Sequence, residues 1–126
     1  MVRRPRTAFG FSQPRSSKPS DPPAPRNYAY EDVICGAIND RLRITFTYKN
    51  EVRLFDPHAV FPTSTGKICV AGNEVRNLSD PMDQLGPHDF EIGRMSGLSV
   101  TDTSFTPDSR FNRSHAKYRF GIICSV

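Results

Sequence analysis

Residues 42–48, Leu-Arg-Ile-Thr-Phe-Thr-Tyr, alternate apolar and polar side chains without a break. A two-residue period puts Leu42, Ile44, Phe46 and Tyr48 on one face of a strand and Arg43, Thr45 and Thr47 on the other. β-Branched and aromatic residues suit such a pleated, half-buried surface. Lys49-Asn50-Glu51 follows as a tight turn, because Asn tolerates positive φ. The returning strand covers 52–55 and stops at Asp56-Pro57. A third strand is expected over 58–62, a turn over 63–66 and a fourth strand over 67–71. Residues 72–88 show no period and read as a long loop. Short strands are expected near 90–92 and 98–101, with Gly93 and Gly97 flanking Arg94.

One helix precedes these strands. Tyr30, Val33, Ile34, Ala37 and Ile38 fall on one helical face, and Glu31 and Asp32 sit in the first turn, where the helix dipole favours acids. Gly36 weakens the helix by about 1 kcal/mol relative to Ala, so residues 29–40 need a sheet to pack on. A helix followed by short meandering strands predicts a mainly β (α+β) fold, a helix on a small, partly open β-barrel.

The ends differ from the middle. Residues 1–27 are rich in Pro, Ser and Arg, with six Arg or Lys against one acid. They read as a disordered basic arm, either a plain leader or a nucleic-acid arm. Residues 28–109 hold seven Arg or Lys and twelve acids, and residues 110–126 hold four Arg or Lys and no acid. Any phosphate contact by the body must therefore come from a few placed arginines, with the ends adding salt-sensitive attraction. The tail interleaves Arg110, Arg113, Lys117 and Arg119 with Phe111, Tyr118 and Phe120, a mixture suited to single strands. The competing reading is an edge strand over 118–124 after a basic linker at 110–117.

Cys35, Cys69 and Cys124 are odd in number and far apart in sequence. They predict neither a disulfide framework nor a zinc site, and a reducing cytoplasm fits them best. No apolar run reaches the length of a membrane helix, and the basic start lacks the apolar core of a secretory signal.

The order of features resembles the WYL domain family. The matching pieces are Ala37-Ile38, the strand ending at Tyr48, Arg53 with Pro57, Gly66-Lys67 before Ile68-Cys-Val-Ala71, and Phe90-x-Ile92-x-Arg94-Met95. The segment from Val100 to Phe105 is similar to the family's exit. The match spans about residues 30–105. The positions of the naming triplet hold Ile68, Cys69 and Val70, and Glu91 and Gly93 stand where the family often has Arg and Asp. The resemblance implies an Sm-like or SH3-like β-barrel over residues 28–109 that senses a nucleotide or single-stranded nucleic acid. It also implies a role in bacterial or phage transcription regulation. Residues 1–27 are too short and too Pro-rich for the DNA-binding element of such regulators, so a separate DNA-binding partner is expected.

Arg53 and Arg94 are the main site candidates, because a guanidinium offers a planar donor fork to phosphate. The alternative is pairing with a nearby acid such as Asp56 or Glu91. Phe55 and His58 are candidate stacking faces, and Tyr48 is a further one if it is not core. Lys67, beside a turn, is a weaker phosphate candidate. Cys69 reads as a buried small apolar residue rather than a nucleophile. The sequence shows no Gly-rich phosphate loop, acid pair or Ser-His-Asp order, and its three histidines are too far apart for a metal motif. An enzyme, a metal and a cofactor are therefore not expected. A homodimer through the edge strand is the alternative role, as a protein-interaction module.

Overall fold

A computed structural model describes residues 22–126. The predicted arm lies mostly outside these residues. Its last part, 22–27, runs against the folded body: Ala24 N donates to Glu91 Oε2 at 2.8 Å, and the Pro22 carbonyl accepts from Arg94 at 2.8 Å.

Helix α1 spans Tyr28–Asp40. Asn27 caps it by accepting from Tyr30 N, which satisfies one of the free N–H groups of the first turn. Arg41 ends it in the left-handed region at φ 58°, and its N–H returns to the Ala37 and Ile38 carbonyls. The buried face is Glu31, Ile34, Ala37 and Ile38. Glu31 is tolerated there because Arg26 binds both its carboxylate oxygens.

Strands β1 (Leu42–Tyr48), β2 (Glu51–Pro62), β3 (Ile68–Asn77), β4 (Gly86–Glu91), β5 (Ser96–Ser104) and β6 (Cys124–Ser125) form one antiparallel sheet. The order is β4-β3-β2-β1-β5, with β6 pairing β2 off that path. β4 and β5 stand at opposite ends, so the sheet is not closed and the expected barrel is not shown. The fold is mainly β, with one α-helix among the described residues.

Several sequence expectations change here. The second and third expected strands are one strand, β2. Pro57 lies inside it at a register shift between Pro57 and Ala59, where a bulge accommodates the missing N–H. β3 extends through Asn77, so only residues 78–85 of the expected long loop join two strands. The expected strand at 118–124 is instead a 3-10 turn, Ala116–Tyr118, then Gly121 at φ 108° and the two-residue β6. Cys35 and Cys124, which sequence spacing left unpaired, form a disulfide. Their separation of 89 residues hid the pairing, because β6 returns to β2 beside α1. The cysteine argument for a reducing compartment thereby loses its premise. No helix among the described residues is long and apolar enough to cross a membrane.

The middle of the sheet is buried on both faces, which explains the unbroken apolar runs of β2 and β3. Val60 and Val70 face α1 in a core with Ile34, Ile38, Ile44, Phe46, Phe55, Phe90 and Ile92. Their alternates Ala59, Phe61, Cys69 and Ala71 form a second cluster with Tyr118, and Phe111 and Ile122 pack on it. The C-terminal segment thus covers the sheet face that α1 does not.

Candidate functional site

Arg53 is 8% exposed on β2. One terminal nitrogen donates to Glu51 Oε1 at 2.8 Å, and the other lies 3.2 Å from Glu74 Oε2 and 3.4 Å from Asp83 Oδ2. Its guanidinium carbon sits 5.2 Å from the centre of the Phe90 ring, and Nε has no partner. The carboxylates thus occupy the donors that a phosphate would need. Arg94 ends the 3-10 turn Ile92–Arg94, donates to Glu91 Oε1 at 2.7 Å and reaches the Pro22 carbonyl. Both arginines gather at the Phe90-Glu91 end of β4, yet each is directed at its own carboxylates. Tyr48 closes the same corner, packing on Phe90 and accepting from Glu91 N. Burial is the main cause that pushes its hydroxyl pKa up.

Phe55 is fully buried against Phe46 and Phe90, with no face left to a base. Lys67 is half-buried at the β2–β3 turn, where its main-chain N–H donates to Thr63 Oγ1. Cys69 is free and buried, and desolvation is the main cause that lifts its thiol pKa to about 11. A thiol held protonated in this way is a poor nucleophile.

His58 lies elsewhere, and the structure draws the site around it. It is 2% exposed, with Nδ1 2.9 Å from the Asp56 carbonyl and Nε2 2.9 Å from Asp108 N. The Asp108 N–H can only donate, so Nε2 accepts and Nδ1 carries the ring proton. This neutral histidine joins β2 to the start of the C-terminal segment. Above it opens a cleft of about 580 Å³. His58, Gly72 and Asn73 come from β2 and β3, and Pro87, His88 and Asp89 form the β4 wall. The C-terminal segment supplies the other wall with Phe111, His115, Lys117 and Tyr118. Gly72 has no room for a side chain: a Cβ there would meet the Asp56 carbonyl oxygen at 2.1 Å.

Two ion pairs set the charge of the cleft. Lys117 Nζ crosses to Asp89 Oδ1 at 2.9 Å, from one wall to the other. Arg110 holds Asp108 through both carboxylate oxygens, and Asn73 donates to Oδ2 as well. The Arg110 side-chain hydrogen bond is the main cause that keeps the Asp108 carboxyl well below the usual range. Burial pushes the Tyr118 hydroxyl up to about 12. The lining therefore offers aromatic surface, two cations already paired with acids, and the amide of Asn73. Among the described residues, no group of three His, Cys, Asp or Glu side chains is placed to hold a metal.

Of Arg53, Arg94, Phe55, His58 and Lys67, only His58 lines this cleft. His88, Asp108 and His115 carried no pattern of their own. The signal that pointed here was the basic and aromatic interleaving of residues 110–120, whose Arg110, Phe111, Lys117 and Tyr118 all line the cleft. Comparison with protein-family models, curated proteins and solved structures finds no match to this chain.

Proposed function

We propose that this chain is a small ligand-binding module of WYL type that takes a nucleotide, or a short stretch of single-stranded nucleic acid, in the cleft beside His58. The observation that carries the reading is a cleft whose walls bring Phe111, His115 and Tyr118 together with Arg110 and Lys117. Aromatic rings offer stacking faces to a base, worth about 1–3 kcal/mol each, and cations beside them meet the backbone phosphate. Arg113 and Arg119, exposed on the same segment, extend the basic surface beyond the cleft. The phosphate contacts fall to these tail cations, since the Arg110–Asp108 and Lys117–Asp89 pairs are open to solvent and weakly held, whereas Arg53 is buried among its carboxylates. In this reading the protein works in the cytoplasm, and the bound ligand signals to a separate DNA-binding regulator.

Binding of a fluorescein-labelled octathymidylate tests it by anisotropy. Arg110→Ala with Lys117→Ala is expected to weaken binding at least tenfold, about 1.4 kcal/mol. Arg94→Ala is expected to bind like the parent. The reverse result would move the site to the arginine that the WYL resemblance indicates.

A second reading, a self-associating interaction module, is favoured by β5. This end strand is exposed along most of its length, and Asp102 is its one charged residue. A long edge without Lys, Arg or Pro is a template for another strand. The opposite end strand, β4, carries Pro87 and has Asp89 bridged to Lys117. Sedimentation over a range of concentrations decides it: a strict monomer at tens of micromolar excludes this reading.

A further inference from the structure

We propose that the Cys35–Cys124 disulfide is a redox gate on the cleft: reduction releases the C-terminal wall, and reoxidation closes it again. The inference rests on the proposed function, in which the protein works in the cytoplasm, a reducing compartment. There a disulfide is conditional, and those that form are usually redox-sensing or catalytic.

The C-terminal wall is held by few non-covalent ties. β6 pairs with β2 at only two positions, Ala59 with Ser125 and Val60 with Cys124. Asp108 N donates to His58 and Asn73 donates to the Asp108 carboxylate, Ile123 N and Val126 N donate to the Val60 and His58 carbonyls, and Lys117 bridges to Asp89. Phe61 and Tyr118 make the main ring contact, with centroids 4.9 Å apart. The disulfide adds the one covalent tie among the described residues, and it runs to α1 rather than to the strands beneath the wall. α1 does not need it to stay in place, because Ile34, Ala37 and Ile38 are fully packed in the main core. The main core draws its buried residues from 34–95, and the C-terminal segment reaches it only through the half-buried Cys124 and Val126, while Tyr118, with Phe111 and Ile122, belongs to the second cluster. Loss of the bond therefore loosens the wall in preference to the sheet, as expected where stability is local.

The chemistry is thiol–disulfide exchange with a small dithiol. Cys35 and Cys124 are both half-buried rather than sealed. A reductant thiolate bonds to one sulfur, the Cys35–Cys124 bond breaks, and its electron pair leaves on the other cysteine, which takes a proton. The second reductant thiol then attacks the mixed disulfide, closes the reductant's own ring and frees the remaining cysteine. Two electrons and two protons pass to the protein, and the dithiol becomes a cyclic disulfide.

The full chain, oxidised or treated with dithiothreitol, is digested briefly with trypsin and also titrated with fluorescein-labelled octathymidylate. Reduction is expected to speed cleavage at Arg110, Arg113, Lys117 and Arg119 at least tenfold, with Arg43 and Arg76 in the sheet still protected. Octathymidylate binding should weaken at least tenfold in parallel. Cys35→Ser is expected to match the reduced protein with or without dithiothreitol. Unchanged tail cleavage on reduction overturns the gate. So does cleavage that becomes general, because the bond would then hold the whole fold rather than one wall. Failure of the oxidised protein to bind octathymidylate counts against the proposed function instead, and the cleavage pattern still decides whether the wall is redox-controlled.

Discussion

Removing the Arg53 guanidinium would leave the buried Glu74 carboxylate without its cation, beside the partly exposed Glu51 and Asp83. Breaking a buried ion cluster by deleting one partner typically costs about 3–5 kcal/mol. Arg53→Ala should therefore lose that much stability in urea denaturation, whereas an open ligand clamp would lose far less. Glu74 reports on the same cluster from the acid side. Its side chain is fully shielded, and desolvation is the main cause that raises its carboxyl pKa. The folded state then holds this proton more tightly than the unfolded chain does. Its cost to stability is absent below the unfolded value of about 4.3 and grows as pH rises through the raised one. Glu74→Gln does not titrate, so its stability relative to the parent should rise as pH climbs above the unfolded value of about 4.3. Parallel pH profiles would show that Glu74 is not the titrating group. The sequence placed Arg53 on a strand but could not show what it faces. Glu74 and Asp83 lie 21 and 30 residues further on, and no local pattern links them. His58 was legible only as a residue type, because its partner Asp108 is 50 residues away.

At the scale of the element, α1 and β1 were legible because each buries one face against one core, which leaves a clean period. β3 was legible only up to Ala71. Beyond it the buried residues are the polar Glu74 and Asn77, and a register shift opposite Leu54 and Phe55 sets them three positions apart, so no two-residue period continues. Those polar side chains satisfy Arg53, Asp83 and the loop after the strand, so the lost pattern is the trace of the ion cluster. β2 was cut in two by Pro57, whose register shift is a tertiary accommodation that sequence does not announce. The β1–β2 turn was read from Asn50, and the structure adds that Lys49 shares the left-handed region, at φ 52° against 63°. Two such residues define the hairpin turn that prefers Asn-Gly, and a Lys there carries a steric penalty. Lys49→Asn with Asn50→Gly should stabilise the protein by about 1 kcal/mol, read as a higher urea midpoint at unchanged slope. A lower midpoint would mean that the Lys49 side chain contributes something the turn geometry does not show.

Over the whole molecule, charge is divided between a body with an excess of acids and a C-terminal segment with none. The two meet at the cleft, where Lys117 from the basic segment closes on Asp89 of the acidic sheet. A nucleic-acid strand lying there meets cations on one wall and acids on the other, so the body alone gives only a shallow salt dependence. The N-terminal residues can add to it. Residues 1–21 hold five Arg or Lys and one acid. Each phosphate neutralised on a single strand steepens the plot of log affinity against log salt by about 0.7, so full engagement of five cations would add roughly 3.5. Deleting residues 1–21 should therefore flatten the slope by up to that amount. The preference for single strands over duplex should remain, because it comes from stacking in the cleft and not from counterion release. Octathymidylate titrations of the full and shortened chains, from low to moderate salt, measure both quantities. An unchanged slope would show that the N-terminal cations do not reach the strand. A lost preference for single strands would show that the discrimination sits in residues 1–21 and not in the cleft.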